Sequence, residues 1–161
     1  MADDTKNGTL RSVLGLGTNA VKAERATTIL DSTVEVAAAA SAGSVYTMFR
    51  IPSRARISGA SIMSWDDLAS TGSPTLDIGF KAVDGNITSD PDALNDGLDA
   101  ATATAGARVV KDIANYGKFA WEYVSGQTSD PGGLLDVTVS ILDAATNTGG
   151  TITMVLAYNV D

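Results

Sequence analysis

LLDVTVSIL, residues 134–142, decides the fold: Leu135, Val137, Val139 and Ile141 fall on one side, and Asp136, Thr138 and Ser140 on the other. A period of two is the signature of a β-strand with one face against a core. The same period recurs on both sides of this stretch. TITMVLAYNV follows it with Ile152, Met154, Leu156 and Tyr158 in phase, and TLDIGFKAV precedes it with Leu76, Ile78, Phe80 and Ala82. Farther back, RISGASIMSW places Ile57, Gly59, Ser61, Met63 and Trp65 on one side, and SVYTMFRI places Val45, Thr47, Phe49 and Ile51. RATTILDSTVEVAAA does so with Leu30, Ser32, Val34, Val36 and Ala38, and KFAWEYV reads as a further strand through Phe119, Trp121 and Tyr123. Seven or eight strands are implied. Turn-forming STGSP, SDPGG and NTGG lie between them, as expected of an all-β, antiparallel sandwich or barrel.

Two stretches depart from this rhythm. DPDALNDGLD, residues 90–99, offers Asp90 as an N-cap, Pro91 at the first helical position and Gly97 as a stop, so a short helical insertion is predicted there. AATATAGARVVKDI, which follows, reads equally as an extended crossing segment or a weak strand. The segments 76–84 and 135–143 look alike, each entered through a Gly/Pro turn. A duplicated Greek-key half would produce this, and so would two unrelated amphipathic strands. The latter is preferred.

At 161 residues and 44% hydrophobic content the chain is one domain able to bury a core. No apolar run is long enough to span a bilayer, and the opening MADDTK lacks the order of a secretory signal, so no membrane association is expected. With no cysteine and no histidine, disulfides, thiolate metal sites and the commonest general base are all missing. A net charge of -8 argues against binding nucleic acid through its phosphates. The charge is unevenly placed. Residues 1–25 carry four basic and three acidic groups, and residues 26–161 carry seven and sixteen. The first segment, with Gly8, Gly15, Gly17 and the apolar patch Leu10, Val13, Leu14 and Leu16, reads as an N-terminal arm that needs a surface to cover it. The body is residues 26–161.

GLGTNA, residues 15–20, fits a dinucleotide-binding fingerprint, with Glu35 spaced like a ribose-binding acid. The context refuses it: TLRSVL is too short and polar for a buried parallel strand, and no helices follow to cover such a sheet. Asp84, Asp90, Asp92, Asp96 and Asp99 invite a calcium reading but lack EF-hand spacing, so helix-capping aspartates are expected instead and no metal is assigned. Asp66 and Asp67, adjacent on the chain, serve better as turn formers than as an acid and base pair. No S-x-x-K or G-x-S-x-G motif occurs, so no catalytic residue and no cofactor is assigned, and the chain is expected not to be an enzyme. Phe119, Trp121 and Tyr123 could stack on a sugar, but alternating aromatics are more often core or subunit interface. Arg50, Arg54 and Arg56 cluster around Pro52, with Arg54 and Arg56 expected on one strand face. They read first as partners of the chain's own carboxylates and second as contacts for an acidic partner surface.

The Gly-bearing arm, the acidic cysteine-free body, STGSPTLDIGF and the closing DVTVSILDAATNTGGTITMVLAYNVD together resemble the decoration, or cement, proteins of tailed-bacteriophage capsids. The likeness covers residues 25–161 as a style of β-protein. It implies a jelly-roll-like sandwich that assembles as a homotrimer on the outside of the expanded head and grips the major capsid protein with its arm. It implies no catalytic residue. In that setting Leu10 to Leu16 would add a strand to a capsid sheet, with Val13, Leu14 and Leu16 in apolar pockets and Arg11 at an acidic rim. The other reading is a carbohydrate- or receptor-binding module of a tail fibre or adhesin, with the aromatic strand 119–123 or the acidic loop as its site.

Overall fold

A computed structural model describes residues 27–160 of the chain. The arm residues Leu10, Arg11, Val13, Leu14 and Leu16 and the GLGTNA motif lie outside the described residues. Among the described residues nine strands form two sheets: β1 (Thr27–Val36), β2 (Val45–Pro52), β3 (Ala55–Ile57), β4 (Ile62–Trp65), β5 (Thr75–Ala82), β6 (Asp90–Asp99), β7 (Thr104–Arg108), β8 (Leu134–Leu142) and β9 (Gly150–Val160). Sheet A runs β1-β9-β4-β7, with β3 also pairing β9, and sheet B runs β2-β8-β5-β6. Every ladder among the described residues is antiparallel. The chain alternates between sheets at most connections and leaves no two neighbours in sequence side by side except β5 and β6. That interleaved order is a jelly roll, the arrangement in which two Greek keys wrap around one core.

The core is what the period of two places there. Leu135, Val137, Val139 and Ile141 on β8, Leu76, Ile78 and Phe80 on β5, and Ile152, Met154 and Leu156 on β9 are buried from solvent. They meet Ile57, Met63 and Trp65 from β3 and β4. On β1 the expected face holds: Leu30, Ser32, Val34 and Val36 turn inward, while Ala38 lies beyond the strand and is exposed. The look-alike segments become neighbours, β5 pairing β8 with Leu76 opposite Ile141, Ile78 opposite Val139 and Phe80 opposite Val137. They are alike because both run down the middle of one sheet, under the same demand for apolar residues inside and small or acidic ones outside.

Three local expectations are corrected. The 90–99 segment is strand β6, not a helix. Leu94 and Leu98 keep a helical spacing, but Leu98 pairs with Leu76 and Asn95 with Ile78 in the ladder with β5, and an edge strand tolerates Pro91 where no ladder needs its missing N–H. Two register shifts against β5 and a positive φ at Gly97 take up the irregularity. The 119–123 segment is not a strand but a single helical turn, α1 (Ala120–Tyr123), begun where the Phe119 N–H donates to Glu122 Oε2 at 2.6 Å. On β2 a bulge between Thr47 and Phe49 switches faces mid-strand. Phe49 and Ile51 are buried as expected, while Val45 and Thr47 point to solvent. The ambiguous segment after β6 supplies edge strand β7 and then a 3-10 turn at Ile113–Asn115.

Candidate functional site

The structure sends the three body arginines to three different contacts. Arg50, on the outer face of β2, lies directly across from Asp136 on β8, and the pair is a two-pronged fork: Nε to Oδ1 at 2.7 Å and Nη2 to Oδ2 at 3.1 Å. Asp136 is nearly enclosed while Arg50 remains largely exposed. Asp136 holds the guanidinium proton still more firmly than usual, through the hydrogen bond first and its charge second. Arg54 and Arg56 do not share a strand face, because Ser53 and Arg54 form the turn between β2 and β3 and only Arg56 is in the strand. Arg54 Nε is 3.3 Å from Asp130 Oδ2. Arg56 lies 3.7 Å over the Phe119 ring and donates to the Gly117 carbonyl at 2.7 Å.

Ser53 is the pin of this corner. Its side chain donates to Asp130 Oδ1 at 2.7 Å, its N–H to the Gly133 carbonyl and its carbonyl receives the Trp121 N–H. The long connection from β7 to β8 is thereby fastened against β3, with Phe119 and Trp121 stacked at 6.5 Å between centroids and 15° between planes. Trp121 and Tyr123 are half-buried against the core, and the Tyr123 hydroxyl donates to the Asn115 carbonyl at 2.5 Å. Burial, helped by Glu122 and Tyr116, pushes the Tyr123 phenol up to about 12. The aromatic run is therefore a clamp on the β3 corner and not a flat strand platform. Nothing in an alternating pattern announces a one-turn helix, so the sequence held no signal for it.

The acidic loop residues are spread over separate turns. Asp84 receives the Asn86 and Leu134 N–H groups, Asp90 the Ser125 N–H, and Asp99 the Ala101 N–H and Thr102 hydroxyl, while Asp96 approaches Lys111 at 3.8 Å. These aspartates cap turns, not the helix that was expected. Asp92 is held above the ordinary carboxylate range, chiefly by its hydrogen bond with Asp90. No group of three acidic residues is placed to hold a metal ion among the described residues. Of the adjacent pair Asp67 forms the turn, accepting the Ala69 N–H at 2.9 Å, whereas Asp66 reaches across to β9 and accepts both the N–H and the hydroxyl of Thr151 at 2.8 Å, bonds that keep its carboxyl below the usual range. With Ser64, Thr104, Thr151 and Thr153 it lines a shallow, open pocket of about 310 Å³ on the outside of sheet A.

Sequence reasoning missed Asp136 and Asp130 as partners of Arg50 and Arg54, and Ser53 as the residue that fixes Asp130, because cross-strand register and loop closure are not written in any local spacing. At the basic corner Arg50 and Arg54 already have their charge partners within the chain.

No family model matches the chain, and no curated protein matches it in sequence. Solved structures do match. A chain from the capsid of Ralstonia phage GP4 superposes with a TM-score of 0.59 at 21% identity, over 84% of this chain and 85% of that one. The likeness is one of fold. A chain from the capsid asymmetric unit of cyanophage Pam1 matches with a TM-score of 0.50 at 15% identity, over 90% of this chain and 99% of that one. Both matches run across nearly the whole jelly roll, so they concern its architecture and not a shared fragment.

Proposed function

We propose that this chain is a structural protein of a phage virion. It sits on the capsid exterior after synthesis in the host cytoplasm, and decorates and stabilises the expanded head by binding the major capsid protein as a homotrimer. It acts by binding and catalyses nothing. The observation that supports this reading is the correspondence of its jelly roll, over 84% and 90% of the chain, with chains of two phage capsids. The body, residues 26–161, supplies a rigid unit, and residues 1–25 supply the grip. Leu10, Val13, Leu14 and Leu16 fill apolar pockets beside an added strand, and Arg11 meets an acidic rim. Arg50 and Arg54 serve the body itself, through Asp136 and Asp130. A protein that binds only the expanded lattice stabilises it by mass action, and linked copies raise one another's effective concentration.

Heads lacking the protein, mixed with full-length chain or with chain truncated by residues 1–20, test the reading by co-sedimentation. The full-length chain is expected to bind to saturation and to raise the temperature at which heads rupture. The truncated chain is expected to stay folded and to remain in the supernatant. Equal binding by both would remove the arm from the mechanism, and no binding by either would overturn the assignment.

A further inference from the structure

The outer face of sheet A is open and patterned. One row crosses all four of its lanes: Asp31 on β1, Val155 on β9, Ile62 on β4 and Arg108 on β7. The charges stand at opposite ends, one on each edge strand. Among the described residues Asp31 meets no basic group, and Arg108 meets the Tyr116 hydroxyl and ring but no carboxylate. Between them Ile62 is 40% exposed, and Ile29, diagonal to Val155 on the same face, is 67% exposed. The next row is Thr33, Thr153 and Ser64, so the middle of the face is flat and carries no long side chain.

We propose that this face docks a second copy of the same chain, stacked face to face about a two-fold axis that runs parallel to the strands. That operation exchanges the two edges of the sheet while keeping each row level. Asp31 then faces Arg108 of the second copy, and Arg108 faces its Asp31. Val155 faces Ile62 and Thr153 faces Ser64. Asp66, in the Thr151 row, faces Thr151, so no two carboxylates meet. A stack with β1 over β1 would instead set Asp31 against Asp31 and Arg108 against Arg108, which costs several-fold in affinity at each pair. Under this two-fold β1 lies over β7 and β9 over β4, whose five and four residues limit the overlap to about 15 Å along the strands and about 19 Å across four lanes, or roughly 600 Å² for both copies together. That is below the size of stable interfaces, so the contact is a weak, transient one. A two-fold contact cannot close a trimer. It goes beyond the decoration reading by joining copies that belong to different trimers.

Sedimentation velocity of the full chain from roughly 1 to 100 µM reads the contact directly. The expected result is a concentration-dependent shift to an assembly with an even number of chains. Asp31→Arg and Arg108→Asp should each weaken it about 10- to 100-fold, and the double variant Asp31→Arg/Arg108→Asp should restore it, since the swap leaves the face self-complementary. If Arg108→Asp fails to fold by circular dichroism, Ile62→Glu, which aims a carboxylate at Val155 of the second copy, should weaken association by a similar factor. A monomer or an odd-numbered assembly at every concentration overturns the proposal, as do folded variants that associate like the parent or a double variant that does not recover. Head binding by the arm is measured separately, so either idea can fail alone.

Discussion

The outer faces of the two sheets have opposite fates. On sheet A the outward residues Ile29, Asp31, Thr33 and Glu35 of β1 and Ile62 of β4 are exposed, as simple alternation expects. On sheet B the outward residues of the two central strands, Asp77 on β5 and Asp136, Thr138 and Ser140 on β8, are as enclosed as many core positions. The cover is local. The irregular edge strand β6 folds its backbone over β5, so that a Cβ added at Gly79 would meet the Asp90 carbonyl oxygen at 2.2 Å and the Pro91 carbonyl carbon at 2.3 Å. Gly97, also on β6, donates its N–H to Asp77 Oδ1 at 2.8 Å. On the other flank Arg50 lies over Asp136. Sheet B is sealed by its own edge strand, whereas the outer face of sheet A stays exposed.

The largest test of that seal is Gly79→Ala. The atoms in the way are backbone, which cannot swing aside like the tip of a long side chain, so β6 must lift off β5. A loss of about 3 kcal/mol or more in urea denaturation is expected. Ile62→Ala and Thr153→Ala, at matching outward positions on sheet A, should stay within about 0.5 kcal/mol. A Gly79→Ala protein as stable as those two would mean that β6 does not cover β5 in solution.

These two faces also show what the sequence could say. Alternation read inward was dependable: Leu135 to Ile141, Leu76 to Phe80 and Ile152 to Leu156 are buried as their spacing predicted, because burying one face of a sheet needs nothing beyond the pleat. Alternation read outward was not. It put Ser140 on the side away from the apolar face, and whether a neighbouring strand folds over that side depends on bulges that local spacing does not encode. The same blindness put a helix at Asp90 to Asp99, where Pro91 and Gly97 mark an irregular edge, and a strand at Phe119 to Tyr123, where a loop clamps the β3 corner. At the candidate sites, the residue types of the basic corner were legible and their partners were not, since Arg50 finds Asp136 only through the register of β2 on β8.

The second test concerns Asp77 and is set by pH. Burial raises its pKa above the ordinary carboxylate value, and Asp96, Asp92 and Asp143 add repulsion. A carboxyl whose folded pKa is raised binds its proton more tightly in the native state, so stability falls as pH rises from the unfolded value of about 4 through the folded one. Asn keeps an oxygen for the Gly97 N–H and carries no charge. Asp77→Asn should therefore raise Tm by a few degrees at pH 7, and the gain should vanish below about pH 4. A variant destabilised at pH 7, or one whose gain persists in acid, would show that the charge is not what the seal works against.

The smallest effect is the most diagnostic, because its sign is the unusual one. Ser140 is 3% exposed and its hydroxyl has no hydrogen-bond partner. It lies between the exposed Val45 on β2 and the enclosed Asp77 on β5. A buried hydroxyl without a partner loses its hydration and gains nothing in return. Ser140→Ala removes that cost, leaves a void of only one oxygen, and is expected to stabilise the fold by about 0.5–1 kcal/mol in urea denaturation. The analogous change on sheet A, Ser64→Ala, should go the other way, since Ser64 Oγ accepts the Gly106 N–H at 3.0 Å. Two serines on outward faces, one orphaned and one engaged, thus predict opposite signs for one chemical deletion. Equal signs would mean that Ser140 reaches water and that the second sheet is as open as the first.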